Sequence, residues 1–489
     1  MNYEMPFVHS EKRGKPIWSI FVIIPILIMF FAKTIGTPLL VIVPGFIFYF
    51  VIYCMYGYIL KRDKLVLYFP LLIYLSGFVI FHFSWGNTFI DPIVLSIPSE
   101  NIILAVLIST LAILMVFLGT KSAVSPSTYI TNMVNIEEIP IYYSVGLICL
   151  SFGALIEIWA VRNHLIGFSI GAYGLDVSVL SNPLMTLVLA VQSIFNIGFV
   201  TMLIQFLEEK KNNTWGKLLQ RRFLIIAIFI LSFIFDLVIR FQSAARATML
   251  MGFLPILVVL FIYGYKKFIG VAIILGVILY IFLIFPLVSN IRSDQVYYDT
   301  MKAGNIFLPQ FSYFVDVYQQ KDKNTLDALS RLNQFGLLSF SIDRVEHGLP
   351  VLMGESYLYA FNTLVPRFIN SQRVDRKISY DSYTGYYVGG TSYDNWGLHT
   401  EAYLNFGILG VIFIMFFTGY VWQRAYLLIF NYEKPIGPAI AIGVLLPTIF
   451  RAAESDFQMT IISTFRTIIF LLIIVKCIVL VWKMVIFKR

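Results

Sequence analysis

Residues 34–60 carry no charged side chain, and neither do residues 101–120 or 402–423. About 20 such residues suffice for one helix to cross a bilayer core roughly 30 Å thick. Hydrocarbon offers the backbone no partner, so an isolated apolar run must pair its N–H and C=O groups within itself, as a helix. Twelve runs of this kind are marked as spans: 17–33, 38–60, 65–85, 101–119, 140–161, 183–207, 222–240, 247–264, 267–289, 401–423, 436–452 and 459–484. The first and eleventh are the shortest. The eleventh holds Pro438 and Pro447, and one of the two is a candidate re-entrant segment.

Charged residues make up 13% of the 489, where a soluble domain carries about 25%. So few charges cannot cover a water-soluble enzyme of this length, which also excludes a nucleic-acid binder and a secreted disulfide scaffold. Cys54, Cys149 and Cys477 lie inside apolar runs without CxxC spacing and read as small hydrophobes. The basic residues Lys12, Arg13 and Lys15 precede the first apolar run with no small-residue cleavage site after it, so that run is expected to be a retained helix.

The net charge of +9 is mostly a topogenic signal. With the N-terminus inside, clusters such as Lys61, Arg62 and Lys64, Lys210 and Lys211, or Lys488 and Arg489 all fall on one side. The short segments on the other side hold only Lys33, Arg162, Arg240, Arg246 and Arg451. The positive-inside rule then places both termini in the cytoplasm. Residues 290–400, between the ninth and tenth spans, form a large outer loop whose basic and acidic residues nearly balance. Loops beyond about 15 residues are usually functional or disordered, and this one is not low in complexity. Apolar residues recur at helical spacing in 324–342 and 355–369, which predicts short helices along the outer membrane face, followed by a Gly- and Tyr-rich turn region at 379–398. The expected organisation is a membrane bundle over 1–289, the loop over 290–400, and a second bundle over 401–489. No internal repeat is visible, which disfavours an inverted-repeat transporter.

Few charges stand where they are costly, so each exception carries weight. Arg240 and Arg246 bracket the turn in RFQSAARATM, with Ser243 a candidate N-cap for the eighth helix. Free N–H groups and partial positive charge already gather at a helix start, so a guanidinium there calls for an anion such as a phosphate. The bland reading is an arginine reaching lipid headgroups. Arg451 sits in FRAAESD beside Glu454 and Asp456, where an internal ion pair is as good a reading as a ligand site. Arg466 must face the interior, and Lys476 reads as structural. Glu157 and Asp236 are expected to pair with outer arginines, although a proton-coupled transporter would use such carboxylates too. In the loop, Arg331, Arg344 and Arg367 lie on or beside the predicted helices. His399 and Glu401, at the mouth of the tenth span, are candidates to place or remove a proton; the bland alternative is a histidine hydrogen-bonded at the interface. The aromatics Tyr380, Tyr383, Tyr386, Tyr387, Tyr393 and Trp396 suit sugar faces and equally suit an interfacial belt.

The loop stretch ESYLYAFNTLVPRFIN and the later EAYLNFGILG resemble the Wzy-type O-antigen and capsular repeat-unit polymerases. In that family a PR dipeptide follows a surface helix of the large loop, an E-x-Y-x-N-F-G element opens the next span, and an arginine-containing turn like SAARATM precedes the loop by two spans. The resemblance covers roughly residues 220–425; residues 1–219 match only in hydrophobicity. It implies an all-α polytopic fold with about twelve transmembrane helices and one large periplasmic loop, a lipid-dependent GT-C-like glycosyltransferase architecture in the bacterial cytoplasmic membrane. The implied reaction moves a growing glycan from undecaprenyl diphosphate onto another lipid-linked repeat unit. A chain-length regulator is an implied partner, with no nucleic acid and no cofactor. Family loop arginines match Arg246, Arg331 and Arg367, and by position Arg292 and Arg451, with Arg240 beside them. His399 or Glu401 would orient or deprotonate the acceptor, and Tyr383, Tyr387 and Trp396 would bind glycan. The Arg-x10-Gly pattern of some members is one residue short here, from Arg344 to Gly354. No DxD element lies in the outer segments, which suits a metal-independent transferase. The alternatives are an O-antigen ligase and a polysaccharide flippase or other transporter.

Overall fold

The structure is a computed structural model that describes residues 39–60, 65–82, 96–124, 139–162, 183–211, 223–242, 246–265, 334–362, 364, 383–385, 387–388, 391–392, 396–432 and 436–487. The expected spans 17–33 and 267–289 lie outside these residues. Helix α1 (Leu39–Leu60) is followed by a 3-10 turn (Leu65–Tyr68) that runs into α2 (Phe69–Phe81). Then come α3 (Ser99–Ala123), α4 (Ile139–Arg162), α5 (Pro183–Lys211), α6 (Phe223–Gln242) and α7 (Arg246–Ile262). The loop contributes α8 (Gln334–Glu346), α9 (Glu355–Asn362) and a hairpin of β1 (Tyr387–Val388) with β2 (Thr391–Ser392). Beyond it lie α10 (Leu398–Phe430), α11 (Ile436–Ile440), a π turn (Ala441–Leu445), α12 (Leu446–Arg451), a second π turn (Gln458–Ile462) and α13 (Ser463–Phe487).

Among the described residues three helices are long and apolar enough to cross a membrane: Ser99–Ala123, Leu398–Phe430 and Thr460–Ile478. Shorter apolar helices accompany them, including Val43–Ile59, Tyr143–Trp159 and Ile436–Arg451. The protein is therefore a helical one of membrane character, and the described helices follow the apolar runs closely. Two details depart from the sequence reading. The tyrosine-rich region holds an antiparallel hairpin, with Tyr387 opposite Ser392 and Val388 opposite Thr391. The eleventh run is a buried helix of about 24 Å at roughly 1.5 Å per residue, shorter than the hydrocarbon core. Its π turn is closed by the Leu446 N–H donating to Ala441 O, and directly after it Pro447 has no N–H to offer the Gly443 carbonyl.

Two contacts organise the core. Helices α3 and α10 cross where Gly119 meets the Phe416 carbonyl and Gly419 meets Val116. A Cβ on Gly119 would stand 2.0 Å from Phe416 O, and one on Gly419 would stand 2.3 Å from Val116 O. With no hydrophobic drive between helices in lipid, close backbone approach through small residues is what holds such a crossing. Lower on α10, Gln423 Nε2 donates to Leu67 O at 2.7 Å and the Tyr426 hydroxyl to Val66 O at 3.0 Å. These bonds satisfy carbonyls of the 3-10 turn that leads into α2. At the other end of α2 an aromatic box closes the core: Phe78 stacks on His82 at 3.8 Å, and Phe335 of α8 meets both Phe48 and His82 edge-on.

Gly119→Ala and Gly419→Ala are each expected to lower stability by about 1–3 kcal/mol through overpacking. Gly57, with nothing near its missing Cβ, is the control: Gly57→Ala should leave stability unchanged or raise it by roughly 0.5–1 kcal/mol. Thermal melts of the purified protein in detergent decide this. Equal melting of all three variants would contradict the close crossing.

Candidate functional site

The site is built on a break in α10. Phe406 (φ −142, ψ 18) and Gly407 (φ 63, ψ −150) leave helical geometry and divide the helix into Leu398–Asn405 and Ile408–Phe430. The Gly407 conformation is one that essentially only glycine adopts. A break strands the last carbonyls of the first segment. Here two loop amides fill the gap, Leu352 N–H donating to Leu404 O at 2.9 Å and Met353 N–H to Asn405 O at 3.1 Å, and the next amide, Gly354 N–H, donates to the side-chain oxygen Asn405 Oδ1 at 3.0 Å. To present them in a row the loop turns through left-handed backbone at Met353 (φ 46) and Gly354 (φ 89).

Helix α9 starts directly after this turn and is fixed by side chains. The Ser356 hydroxyl donates to Glu401 Oε1 at 2.6 Å, and Asn405 Nδ2 donates to Ser356 Oγ and to Glu401 O, both at 2.8 Å. The other Glu401 oxygen accepts the Phe457 N–H at 2.7 Å. One buried carboxylate thus ties the loop helix, the start of α10 and the turn before α13 together. It also acts on its neighbour: burial, then the Glu401 charge, holds the Tyr357 hydroxyl well above its ordinary pKa. The first turn of α10 is gripped from the opposite side, where Gly397 N–H donates to Gln334 Oε1 at 3.2 Å and Leu398 N–H to Ala452 O at 3.3 Å.

His399 and Glu401 do not face each other, because residues two apart on a helix point to different sides. His399 is fully buried and turns toward α2, its Nε2 lying 3.4 Å from His82 Nε2. His82 Nδ1 lies 2.8 Å from the Phe78 carbonyl, which can only accept, so Nδ1 is the protonated nitrogen of a neutral His82. Its Nε2 then accepts from His399 Nε2–H. That tautomer leaves His399 Nδ1 as a bare acceptor, with no hydrogen-bond partner among the described residues.

The remaining expected site residues divide by place. Arg246 is the first residue of α7 and Arg240 lies in the last turns of α6, so their backbones flank the turn as the sequence suggested; their side chains fall outside the described set. Arg292, Arg331 and Arg367 also lie outside the described residues, and Tyr387 is described only as part of β1. Arg451 ends α12 with its Nε 3.6 Å from Glu454 Oε1, the internal pair that was the alternative to a ligand contact. Trp396 is 1% exposed, packed with Leu337, Leu352 and Leu404, so its indole is occupied by protein. Tyr383 meets it edge-on at 6.3 Å and remains partly open, its hydroxyl donating to Pro350 O. Burial, then the Glu355 charge, raises the Tyr383 pKa, which keeps that hydroxyl a donor. Arg344 donates from Nε to Thr384 O at 3.0 Å and so ties α8 to the tyrosine-rich turn. Glu157 is buried on α4, and the side chain of Asp236 lies outside the described set.

Sequence reasoning missed His82, Gln334, Ser356 and Asn405. Asn405 was within reach, since it lies four residues after Glu401 on one helix face. The others come from 45 to 317 residues away and carry no local signal. No protein-family model, curated protein or solved structure matches this chain.

The clamp makes a cooperative prediction. Ser356→Ala and Glu401→Gln should each destabilise by about 1–3 kcal/mol, and the double variant should lose less than the sum by at least roughly 0.5 kcal/mol. Chemical or thermal unfolding in detergent gives the cycle, and strict additivity would contradict a shared bond.

Proposed function

We propose that the protein is a membrane glycosyltransferase of the Wzy type, which polymerises undecaprenyl-diphosphate-linked oligosaccharide repeat units into O-antigen or capsular polysaccharide. One observation carries this reading. The two stretches that resemble the family, ESYLYAFNTLVPRFIN and EAYLNFGILG, are 30 residues apart between their ends in sequence and yet bond directly through Ser356, Glu401 and Asn405. That the two stretches meet at one buried junction supports the reading, which carries with it about twelve spans, both termini cytoplasmic and the large loop periplasmic.

In the proposed reaction a hydroxyl of the acceptor's non-reducing sugar attacks the anomeric carbon of the donor glycan. The bond from that carbon to the diphosphate oxygen breaks, and undecaprenyl diphosphate leaves with the electron pair. The hydroxyl proton is assigned to His399 Nδ1, the bare acceptor at the start of α10. Charge grows on the departing diphosphate, and fixed guanidiniums in a water-poor site stabilise it. Arg246 at the start of α7 and Arg367 are assigned that task first, with Arg240, Arg292 and Arg331 around them. Tyr383 and Tyr387 are assigned to the glycan. Glu401, with both oxygens engaged, positions the loop.

Deleting the gene and resolving cell glycans on gels tests the reading. A polymerase deletion leaves a single repeat unit on the core. Polymer accumulating on the carrier lipid would instead identify a ligase, and unchanged polymer would reject both. Within the same assay, Arg246→Ala should abolish polymer while the protein still inserts, and Arg246→Lys should rescue only in part, because a point charge cannot reproduce bidentate phosphate contacts. Wild-type polymer from Arg246→Ala would refute that assignment.

A further inference from the structure

Helix α9 has three faces where an ordinary surface helix has two. Ser356, Tyr357 and Ala360 turn inward. Glu355, Tyr359 and Asn362 form a polar edge, on which the Tyr359 hydroxyl donates to Glu355 Oε1 at 2.9 Å. Between these lies an uncovered apolar edge: Leu358 is 67% exposed and Phe361 50%, with Met353 before the helix at 73% and Leu364 just after it at 39%. Met353 holds this position at φ 46, a backbone region that side chains other than glycine seldom occupy.

The apolar edge does not stand alone. Tyr357 stacks on Phe406 at 6.1 Å and Phe361 meets Phe457 edge-on at 5.7 Å, which sets α9 beside the break in α10. From that break an exposed apolar stripe continues down α10 through Leu409, Phe413 and Phe417, spaced four residues apart on one face. Ile408–Phe430 is about 34 Å long at roughly 1.5 Å per residue, enough to cross the hydrocarbon core unaided. Residues 408–430 alone therefore suffice for the span, and the exposed α10 stripe suits its lipid side.

We infer that the Met353–Leu358–Phe361–Leu364 edge of α9 is seated in the bilayer, in the leaflet where α10 enters it, with lipid acyl chains as its partner. Continuity with the lipid-facing stripe of α10 selects lipid over another protein. The neighbouring polar edge provides the second requirement of a helix lying in the interface, namely a side that stays among headgroups and water. The inference requires only that α10 spans a membrane and does not depend on the transferase reading.

The test uses full-length protein in vesicles of phosphatidylethanolamine and phosphatidylglycerol, with Cys54, Cys149 and Cys477 replaced by alanine. Nitroxide labels are placed singly on Leu358→Cys and Phe361→Cys, with Phe413→Cys as the lipid reference and Asn362→Cys as the water reference. Labels at 358 and 361 should follow the one at 413, colliding severalfold more with oxygen than with a water-soluble nickel chelate, while the label at 362 shows the reverse. Chelate access at 358 and 361 equal to that at 362 overturns the inference. So does dipolar broadening between identical labels that vanishes on dilution with unlabelled protein, since a second copy would then cover the edge. The two positions are read independently, and neither replacement removes a buried side chain.

Discussion

A helix interrupted at the edge of an apolar phase leaves carbonyl groups that neither lipid nor the helix itself can satisfy, and each such group costs several kcal/mol if nothing meets it. In this protein that demand arises at Phe406 and Gly407, where two loop amides meet backbone carbonyls and a third meets the Asn405 side chain. Most of what distinguishes the structure from a plain bundle follows from this exchange. The loop is folded locally because its backbone supplies donors the membrane helix needs. The membrane helix tolerates its break because the loop supplies them. Removing either partner exposes the same set of orphaned groups.

Around that exchange a small polar network lies in otherwise apolar packing. Glu401 is 2% exposed, yet its oxygens accept from Ser356 and from the Phe457 amide. A buried carboxylate is tolerable when hydrogen bonds reach both oxygens, and here those bonds join three separate stretches of chain. On the other face of the same helix turn the His82–His399 pair shares one hydrogen bond and leaves His399 Nδ1 without a partner among the described residues. The two candidates that the sequence offered at this turn therefore face different neighbours.

Deeper in the bundle the rules are different. Helices α3 and α10 approach through Gly119 and Gly419, and α10 reaches across to the 3-10 turn through Gln423 and Tyr426. Direct backbone contact and a few hydrogen bonds substitute for the hydrophobic drive that lipid removes. A firm seat for α10 matters because the clamp, the histidine pair and the α9 edge all depend on its first two turns.

Helix positions were legible in the residues because uncharged runs of membrane length have one satisfactory backbone form. The described helices accordingly match the marked runs from α1 to α7 and from α10 to α13, and the loop helices α8 and α9 fall within or just beyond the stretches whose apolar period predicted them. The π turns and the β1–β2 hairpin were not anticipated, because they depend on which neighbour takes an unpaired group. Glu401 and His399 stood out in sequence as charges and rings at a boundary, but their partners Ser356, Gln334 and His82 did not. A residue type and its spacing fix the face of a helix on which a group lies, and so Asn405 belongs with Glu401. What stands opposite that face, across tens or hundreds of residues, is settled only when the helices pack and every buried donor and acceptor must find a mate.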